Sequence, residues 1–535
     1  MSMRQLVVSL VLMVCPVAGA SEVAVVQTDW SCGPGSAGPT PVWAGAFSAS
    51  DDVAWASVPG QLALSTTPVT DAERIVLPGD ALGAIKVFAG DLDLDGDTDV
   101  LGCAYYGNQL VAFYNDGGSP PSWQRQVIDG SFEEALAVAV ADVDRDGRLD
   151  VLAGSAAGAE VMWWRNLGGS PAVWEGHLIA DDVPGTHDVA GADLDGDGDI
   201  DAVAVSFEDD EILWWRNDGE DPPRWERLVV ASEVDYPTKV SVADVDRDGD
   251  LDLFSVAWEG RQIAWWRNDG GDPIRWTGRV IGEHFVGAHW VHAADVDGDG
   301  WTDVLGAAMN LGQLAWWRND GSDQSGWEKT VVTGSLPGAV SVIAGDIDGD
   351  GDQDVGGAGW SASGGMAWFE NLDGNGAEWA EVKVDTEFGP SSSVHLADVD
   401  GNGSLDFLGS AWDHGELAWW RVGDFVEAGW LESSILDAGR AVDWVGCGWT
   451  ASEPHNASLV VEVRASKDAQ DLGRWMPVSP GPGCPGAPDG TRFLQYRVLV
   501  ASSDPTVSPV LEEIRFVHEP MAAPAPRRAS GRVIP

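Results

Sequence analysis

A nine-residue acidic segment recurs at a nearly constant interval, and this spacing limits the possible folds more than any other feature. Copies begin at Asp91, Asp142, Asp193, Asp244, Asp295, Asp346 and Asp398, 51 residues apart except for a last interval of 52. Such a period marks stacked or radially arranged supersecondary units, none of which can bury its apolar face alone. The surroundings of each copy repeat as well. A valine stands four residues before each first aspartate (Val87, Val138, Val189, Val240, Val291, Val342, Val394), so a short strand runs into each acidic turn. An apolar run follows, such as Val100-Leu101-Gly102, and then a polar or glycine turn and an aromatic run. The aromatic runs read WWRN from Trp163, Trp214, Trp265 and Trp316, WFEN from Trp368, WWRV from Trp419 and AFYN from Ala112. A turn of Gly, Pro and Asp then leads to a tryptophan with a β-branched pair, as in Trp225 to Val230. Each unit therefore holds four short strands and no helical periodicity.

Adjacent strand residues point to opposite faces, so a Trp-Trp pair is stable only in a sheet covered on both sides. Blades arranged around an axis meet that condition, because each is sandwiched between two neighbours. The tandem tryptophans thus read as inter-blade core rather than as a sugar-stacking platform. Seven units predict an all-β fold with a seven-bladed propeller over residues 73–430. Two ring closures remain open. The segment from Glu73, ERIVL, could complete the last blade, or the strand at Trp430 could serve as that blade's own outer strand.

Every acidic segment has the form D-x-D-x-[DN]-G-x-x-D. Positions 1, 3, 5 and 9 carry Asp91, Asp93, Asp95 and Asp99 in the first loop, and Asp142, Asp144, Asp146 and Asp150 in the second. The third has Asp193, Asp195, Asp197 and Asp201, and the fourth Asp244, Asp246, Asp248 and Asp252. The fifth has Asp295, Asp297, Asp299 and Asp303, the sixth Asp346, Asp348, Asp350 and Asp354, and the seventh Asp398, Asp400, Asn402 and Asp406. With a carbonyl near position 7, each loop offers about six hard oxygen ligands, a set that suits calcium better than magnesium, which retains its waters. No His or Cys occupies a ligand position, which argues against zinc and copper. An EF-hand is excluded: its twelfth-position glutamate is replaced here by residues such as Gly102 or Ala204, and strands rather than helices flank the loop. About seven calcium sites are expected.

These loops, set between strands of the type ADVDGDG and DVLGAA, resemble the FG-GAP or VCBS repeats of integrin-α-like propellers. The resemblance covers about two-thirds of the chain. It implies calcium held between the two inner strands of each blade on one face, with ligands meeting the opposite face. It also implies a family of adhesion proteins, lectins and non-catalytic parts of polysaccharide-active enzymes, without naming a ligand.

Outside the repeats, residues 1–20 have the form of a secretory signal peptide: Arg4, an apolar run from Leu6 to Val14, and Ala18-Gly19-Ala20 before Ser21. Val14 before Cys15 argues against a lipoprotein cysteine. Residues 21–72 contain strand-like pieces around VWAGAF and GQLALS that could pack on the C-terminal region. Residues 431–519 alternate as a small β-sandwich, and 520–535 form a Pro- and Ala-rich tail expected to be disordered. An exported, soluble, monomeric protein is expected, at the cell surface or secreted. Export permits a disulfide, for which Cys447 and Cys484 are the preferred pair, while Cys103 aligns with small buried residues of the other repeats. With 86 acidic and 30 basic residues the formal charge is −56, which disfavours nucleic acid and anionic membranes as partners; 31 of the acids lie in the seven loops.

No nucleophile elbow, phosphate loop or HExxH is present. The candidate ligand face lies opposite the acidic loops. His187 and His289 stand six residues before their loops, near inner-strand starts, and with Asp188, Lys239 and Trp290 they could form a polar site or remain solvated loop residues. Six residues after the loops' final aspartates come Tyr105, Phe207, Trp258, Trp360 and Trp412, with Ala156 and Met309 at the equivalent places. These side chains could pack blades or stack on a sugar or peptide. The expected function is a calcium-stabilised adhesion, glycan- or extracellular-protein-binding module without catalytic residues. A lyase or dehydratase acting at the channel mouth and an envelope scaffold are the alternatives.

Overall fold

In a computed structural model, the described residues are 72–118, 121–321 and 327–520 apart from a few short breaks, together with strand segments between 23 and 68. The expected signal peptide over residues 1–20, Cys32 and the tail past residue 520 lie outside the described residues. The chain divides into two units, residues 67–424 and residues 1–66 with 425–535. No helix among the described residues is long and apolar enough to cross a membrane.

Residues 67–424 form seven four-stranded antiparallel sheets. The third blade shows the pattern: Thr186–Ala192 innermost, then Asp201–Ser206, Glu211–Asn217 and Trp225–Ser232. Its second strand, DAVAVS, is buried along its whole length, because neighbouring blades cover both faces; the outermost strand alternates toward solvent. The ring closes through the N-terminal strand. Arg74–Val76 pairs with Glu416–Trp420 as the fourth strand of the last blade, and Arg74 bonds Asp385 of the sixth blade at 2.8 Å. Trp430 instead lies on Ala428–Ser433, which pairs with Thr491–Ser502 in the other unit.

The aromatic pairs divide their burial between two interfaces. Trp214 joins Val240 and Leu253 of the fourth blade, while Trp215 joins Val143 and Trp163 of the second. Trp419 and Trp420 repeat the division across the closing interfaces, Trp419 against Val87 and Val100 of the first blade and Trp420 against Trp368 of the sixth.

The asparagine that ends the aromatic run links blades to one another. In the third blade, Asp201 at loop position 9 accepts the N–H groups of Leu194 at 3.2 Å and Asn217 at 2.8 Å. The Asn217 amide then donates to the Ile200 carbonyl of its own blade at 3.0 Å and to the Val143 carbonyl of the preceding blade at 3.3 Å. Asn115, Asn166, Asn268, Asn319 and Asn371 make the equivalent inter-blade bond, and Asn115 carries it across the ring closure to Val399. The seventh blade has Val422 at this place, and Asp406 Oδ1 is left buried without a hydrogen bond.

Each innermost strand also carries a bulge near its start. In the third blade the register shifts between Thr186 and Asp188, and the same shift occurs in the other six. A bulge sets two residues against one on the partner strand and re-aims side chains, which matters at the channel mouth.

The second unit is an eleven-stranded sheet into which the N-terminal segments are woven: Phe47–Asp51 pairs with Ala428–Ser433, and Val23–Gln27 and Leu62–Leu64 pair with Val510–Pro520. Its core includes Trp444, Val461, Leu494, Tyr496 and Phe516, with Cys447 and Cys484 in the same cluster. The expected disulfide between them is not formed here: both remain thiols, and the hydrogen bond from Cys484 lowers the Cys447 pKa.

Replacement of Asn217 by Ala is expected to lower unfolding stability by about 1–3 kcal/mol, since it strips partners from two carbonyls at a blade interface. Trp214→Ala should cost about 3–5 kcal/mol through the cavity it leaves. Denaturant titrations of the two variants in calcium-containing buffer check both values.

Candidate functional site

The propeller presents chemistry at both ends of its channel. At one end are the acidic loops. Among the described residues, seven groups of side chains place ligand atoms within 4.8 Å of one another and could hold a metal ion, five of them being Asp91, Asp93 and Asp99; Asp142, Asp144 and Asp146; Asp193, Asp195 and Asp197; Asp244, Asp246 and Asp248; and Asp295, Asp297 and Asp299. The glycine at position 6 donates its N–H to Oδ2 of the first aspartate, as Gly198 does to Asp193 at 3.0 Å. Glycine is required there because φ is +94° at Gly198. The other oxygen, Oδ1, is buried without a hydrogen bond in Asp91, Asp193, Asp244, Asp295 and Asp346. Both oxygens of Asp93 and one of Asp246 are in the same condition. Buried carboxylate oxygens without partners are costly, and an all-oxygen set so arranged fits a hard cation such as calcium.

The ninth position differs from the other three. Asp99 and Asp303 each accept two backbone N–H groups, so they order the turn whether or not they also face an ion. Burial raises both to about 7 despite those bonds, and Asp354 to about 8.

Part of the positive charge near the loops comes from the WWRN arginine. Arg318 bonds Asp297 at 2.6 Å and Asp299 at 3.0 Å, Arg165 contacts Asp144, and Arg216 lies 3.8 Å from Asp195. The first and sixth blades carry Tyr114 and Glu370 at this place. Their loops lack the counter-charge, and in the sixth, burial with mutual repulsion raises Asp348 and Asp352 to about 7.

At the other end of the inner strands, about 20 Å away at roughly 3.3 Å per residue, the channel opens into a cavity of about 340 Å³. One residue per blade surrounds it at the bulge: Ile85, Leu136, His187, Thr238, His289, Val340 and Ser392. Trp258, Met309, Trp360 and Trp412 rise above that ring from the turns after the second strands, while Lys86 and Trp290 also line the cavity. Trp412 bridges Trp360 at 5.1 Å and Tyr105 at 5.2 Å, and Phe207 stacks on Tyr236 at 4.7 Å. Asp188, buried beneath, holds both Lys86 and Lys239, the latter at 2.8 Å. The two ammonium groups lie 5.0 and 4.9 Å from the centre of the Trp290 ring.

Residues 91–153, 142–204, 193–255, 252–306 and 295–356 match the family described as FG-GAP-like repeat. This is an FG-GAP repeat β-propeller. Among solved structures, the FG-GAP propeller is similar to an Agrocybe aegerita lectin that recognises non-reducing terminal N-acetylglucosamine, at 18% identity and a TM-score of 0.40, covering 60% of this chain and 82% of that one. It is also similar to BBS1N in complex with ARL6DN, in a crystal soaked with lead, at 12% identity and a TM-score of 0.45, covering 66% and 96% of the two chains. No curated protein matches the chain.

The mouth of the FG-GAP propeller brings His187, His289, Trp258, Trp290, Trp360 and Trp412 to one cavity. Asp188 and Lys239 lie beneath it, Tyr105 contacts Trp412, and Phe207 lies 6.0 Å from His187. Lys86 was not among the residues expected here. Its signal was its alignment with Asp188, Lys239 and Trp290, five residues before the first loop aspartate. The asparagines that end the third strands carry a signal of their own, recurring as the last letter of the aromatic run.

Four channel histidines are held neutral. Burial pushes His187 down to about 3, with His289 and Lys86 adding to the effect, and burial pushes His289, His292 and His395 down to about 4. Lys86, Lys239 and Asp188 are the charged groups facing them. Because each folded pKa lies below the ordinary value near 6.5, the native state binds fewer protons than the unfolded chain. This stability is complete above about pH 6.5 and is lost as pH falls toward 4, by roughly 3 kcal/mol per histidine. In calcium-containing buffer, thermal scans of a His292→Gln/His395→Gln variant should show a flatter pH profile than the parent across that window.

Proposed function

We propose that this protein is an exported propeller that holds calcium in its acidic loops and binds a saccharide at the opposite channel mouth. The observation that carries the reading is the cavity itself: tryptophan rings form its wall and imidazole groups stand around its base, a combination of flat apolar faces and hydrogen-bonding groups suited to sugars. An adhesive role follows if the saccharide belongs to a surface or matrix. A glycan array probed with the purified full-length protein tests this reading. Binding should be lost in Trp258→Ala while the thermal midpoint stays close to that of the parent, and an array on which no saccharide binds overturns it.

Calcium in this reading is structural. Chelation should lower the thermal midpoint, and re-addition of calcium should restore it. The loops without an arginine are the most dependent on the ion, so Glu370→Arg, which supplies the sixth blade with the residue found in blades two to five, should reduce the loss on chelation. A midpoint indifferent to chelator in the parent would count against calcium in the loops.

The convergence of Lys86, Lys239, His187 and His289 favours a second reading, an enzyme acting on polysaccharide. Proton abstraction calls for a base matched to the working pH. Here the two imidazoles are held at about 3 and about 4, and Lys86 is bound to Asp188. Binding is therefore the better supported reading, and incubation with bound polysaccharides should yield no shortened or unsaturated products.

A further inference from the structure

The floor of the mouth cavity carries an unbalanced charge. Lys86 and Lys239 share the single carboxylate of Asp188, which also accepts the Val240 N–H at 3.1 Å. Two ammonium groups against one carboxylate leave one positive charge in surplus, and Lys86 is the more deeply buried of the two cations. It is only 5% exposed, donates to the His187 carbonyl at 3.3 Å and to Asp188, and keeps a third N–H. Burial works against this charge and lowers the Lys86 pKa. A buried cation that has to share its counter-charge with a second cation is unfavourable in general, and an incoming anion relieves it.

We propose that the cavity takes a terminal carboxylated sugar, its carboxylate meeting Lys86 at the floor and its ring lying against the tryptophans of the wall. This inference rests on the reading of the mouth as a saccharide pocket and narrows the ligand to one class.

The imidazoles orient such a ligand. His187 Nδ1 lies 2.7 Å from the Thr238 carbonyl and His289 Nδ1 lies 3.0 Å from the Val340 carbonyl. A carbonyl only accepts, so Nδ1 carries the proton on each ring and Nε2 keeps a lone pair. That lone pair accepts a sugar hydroxyl and repels a carboxylate, which leaves Lys86 as the carboxylate's partner. The rings stand 5.4 Å apart, within the span of neighbouring hydroxyls. A volume of about 340 Å³ is at the small end of ligand sites and admits a chain end rather than a chain interior. Glu134 lies by Tyr105, and Glu208 and Glu259 by Tyr236. These carboxylates surround the mouth and disfavour a polyanion, while a single carboxylate borne on an otherwise neutral chain can still reach the floor.

The test uses the full-length calcium-loaded protein and oligosaccharides ending in a uronic acid, in a sialic acid, or in a neutral sugar, each acid also supplied as its methyl ester. Titration calorimetry should show the free acid binding roughly tenfold or more tighter than its ester, and the uronic and sialic arms identify which acid is read. Lys86→Met leaves the Asp188–Lys239 pair balanced. It should keep the parent's thermal midpoint and abolish the preference for the acid, while binding to the ester persists. Equal affinity for acid and ester in the parent, or binding of neutral sugars alone, overturns the inference and leaves the saccharide pocket standing; this comparison decides the matter even if the variant fails to fold. Binding of a sulfated polyanion in place of the single acid also overturns it. Failure of every saccharide to bind overturns the pocket reading itself.

Discussion

The buried aspartate at the ninth loop position is the interaction on which the propeller depends. It receives one N–H from the start of its own loop and one from the asparagine that ends the third strand, as Asp201 does from Leu194 and Asn217. One carboxylate thereby fixes the turn between the first two strands, holds the third strand in register and places an asparagine whose amide reaches the neighbouring blade. The tryptophans and the aliphatic residues around them supply the apolar burial at the interfaces, but burial is non-directional. The hydrogen bonds give six of the seven interfaces a defined register, the exception being that of the seventh blade with the sixth, where Val422 replaces the asparagine.

Control of register at one end of the channel has consequences at the other. The inner strand runs from the mouth to the acidic loop in seven residues, so fixing the loop fixes the height of every mouth residue. His187, Thr238 and His289 therefore stand at one level around the axis, with Asp188, Lys239 and Trp290 one residue further along. The aromatic side chains after the second strand are set by the same register from the opposite direction, since Ser206 pairs with Thr186 and Ala257 with Pro237. Separation of roles follows from the geometry: the acidic loops order the blades, and the mouth residues are free to differ from blade to blade.

Much of this was legible in the repeats. Seven blades, the two-sided burial of the tryptophan pairs and the grouping of the loop carboxylates follow from period and alternation. The mouth was only partly legible, because strict alternation would send His187 and Asp188 to opposite faces, whereas the bulge between Thr186 and Asp188 breaks that pattern. Lys86 escaped notice for this reason: it occupies the shifted position in a strand whose other members are apolar or small. Ring closure is not legible in the sequence because Arg74–Val76 and the segment at Trp430 both read as short strands, and the pairing that decides between them joins parts of the chain far apart in sequence.

The closing strand has a consequence for how the molecule is made. Arg74 and Asp385 are 311 residues apart, and the last blade is complete only when the first propeller strand to be synthesised meets the last. Contacts of such long range are slow to form, because the entropy of closing the loop must be overcome before the contact gives anything back. During synthesis the first six blades can stack in order while Arg74–Val76 waits for its partner strand Glu416–Trp420. The seventh blade, which has Val422 where the others have asparagine, then docks against the sixth through apolar packing and the Arg74–Asp385 pair. An interface tied by the long side chain of Arg74, in place of the asparagine-to-carbonyl bond, tolerates small adjustments of position, which is what the last piece of a closed ring needs when the other six have already set the size of the gap.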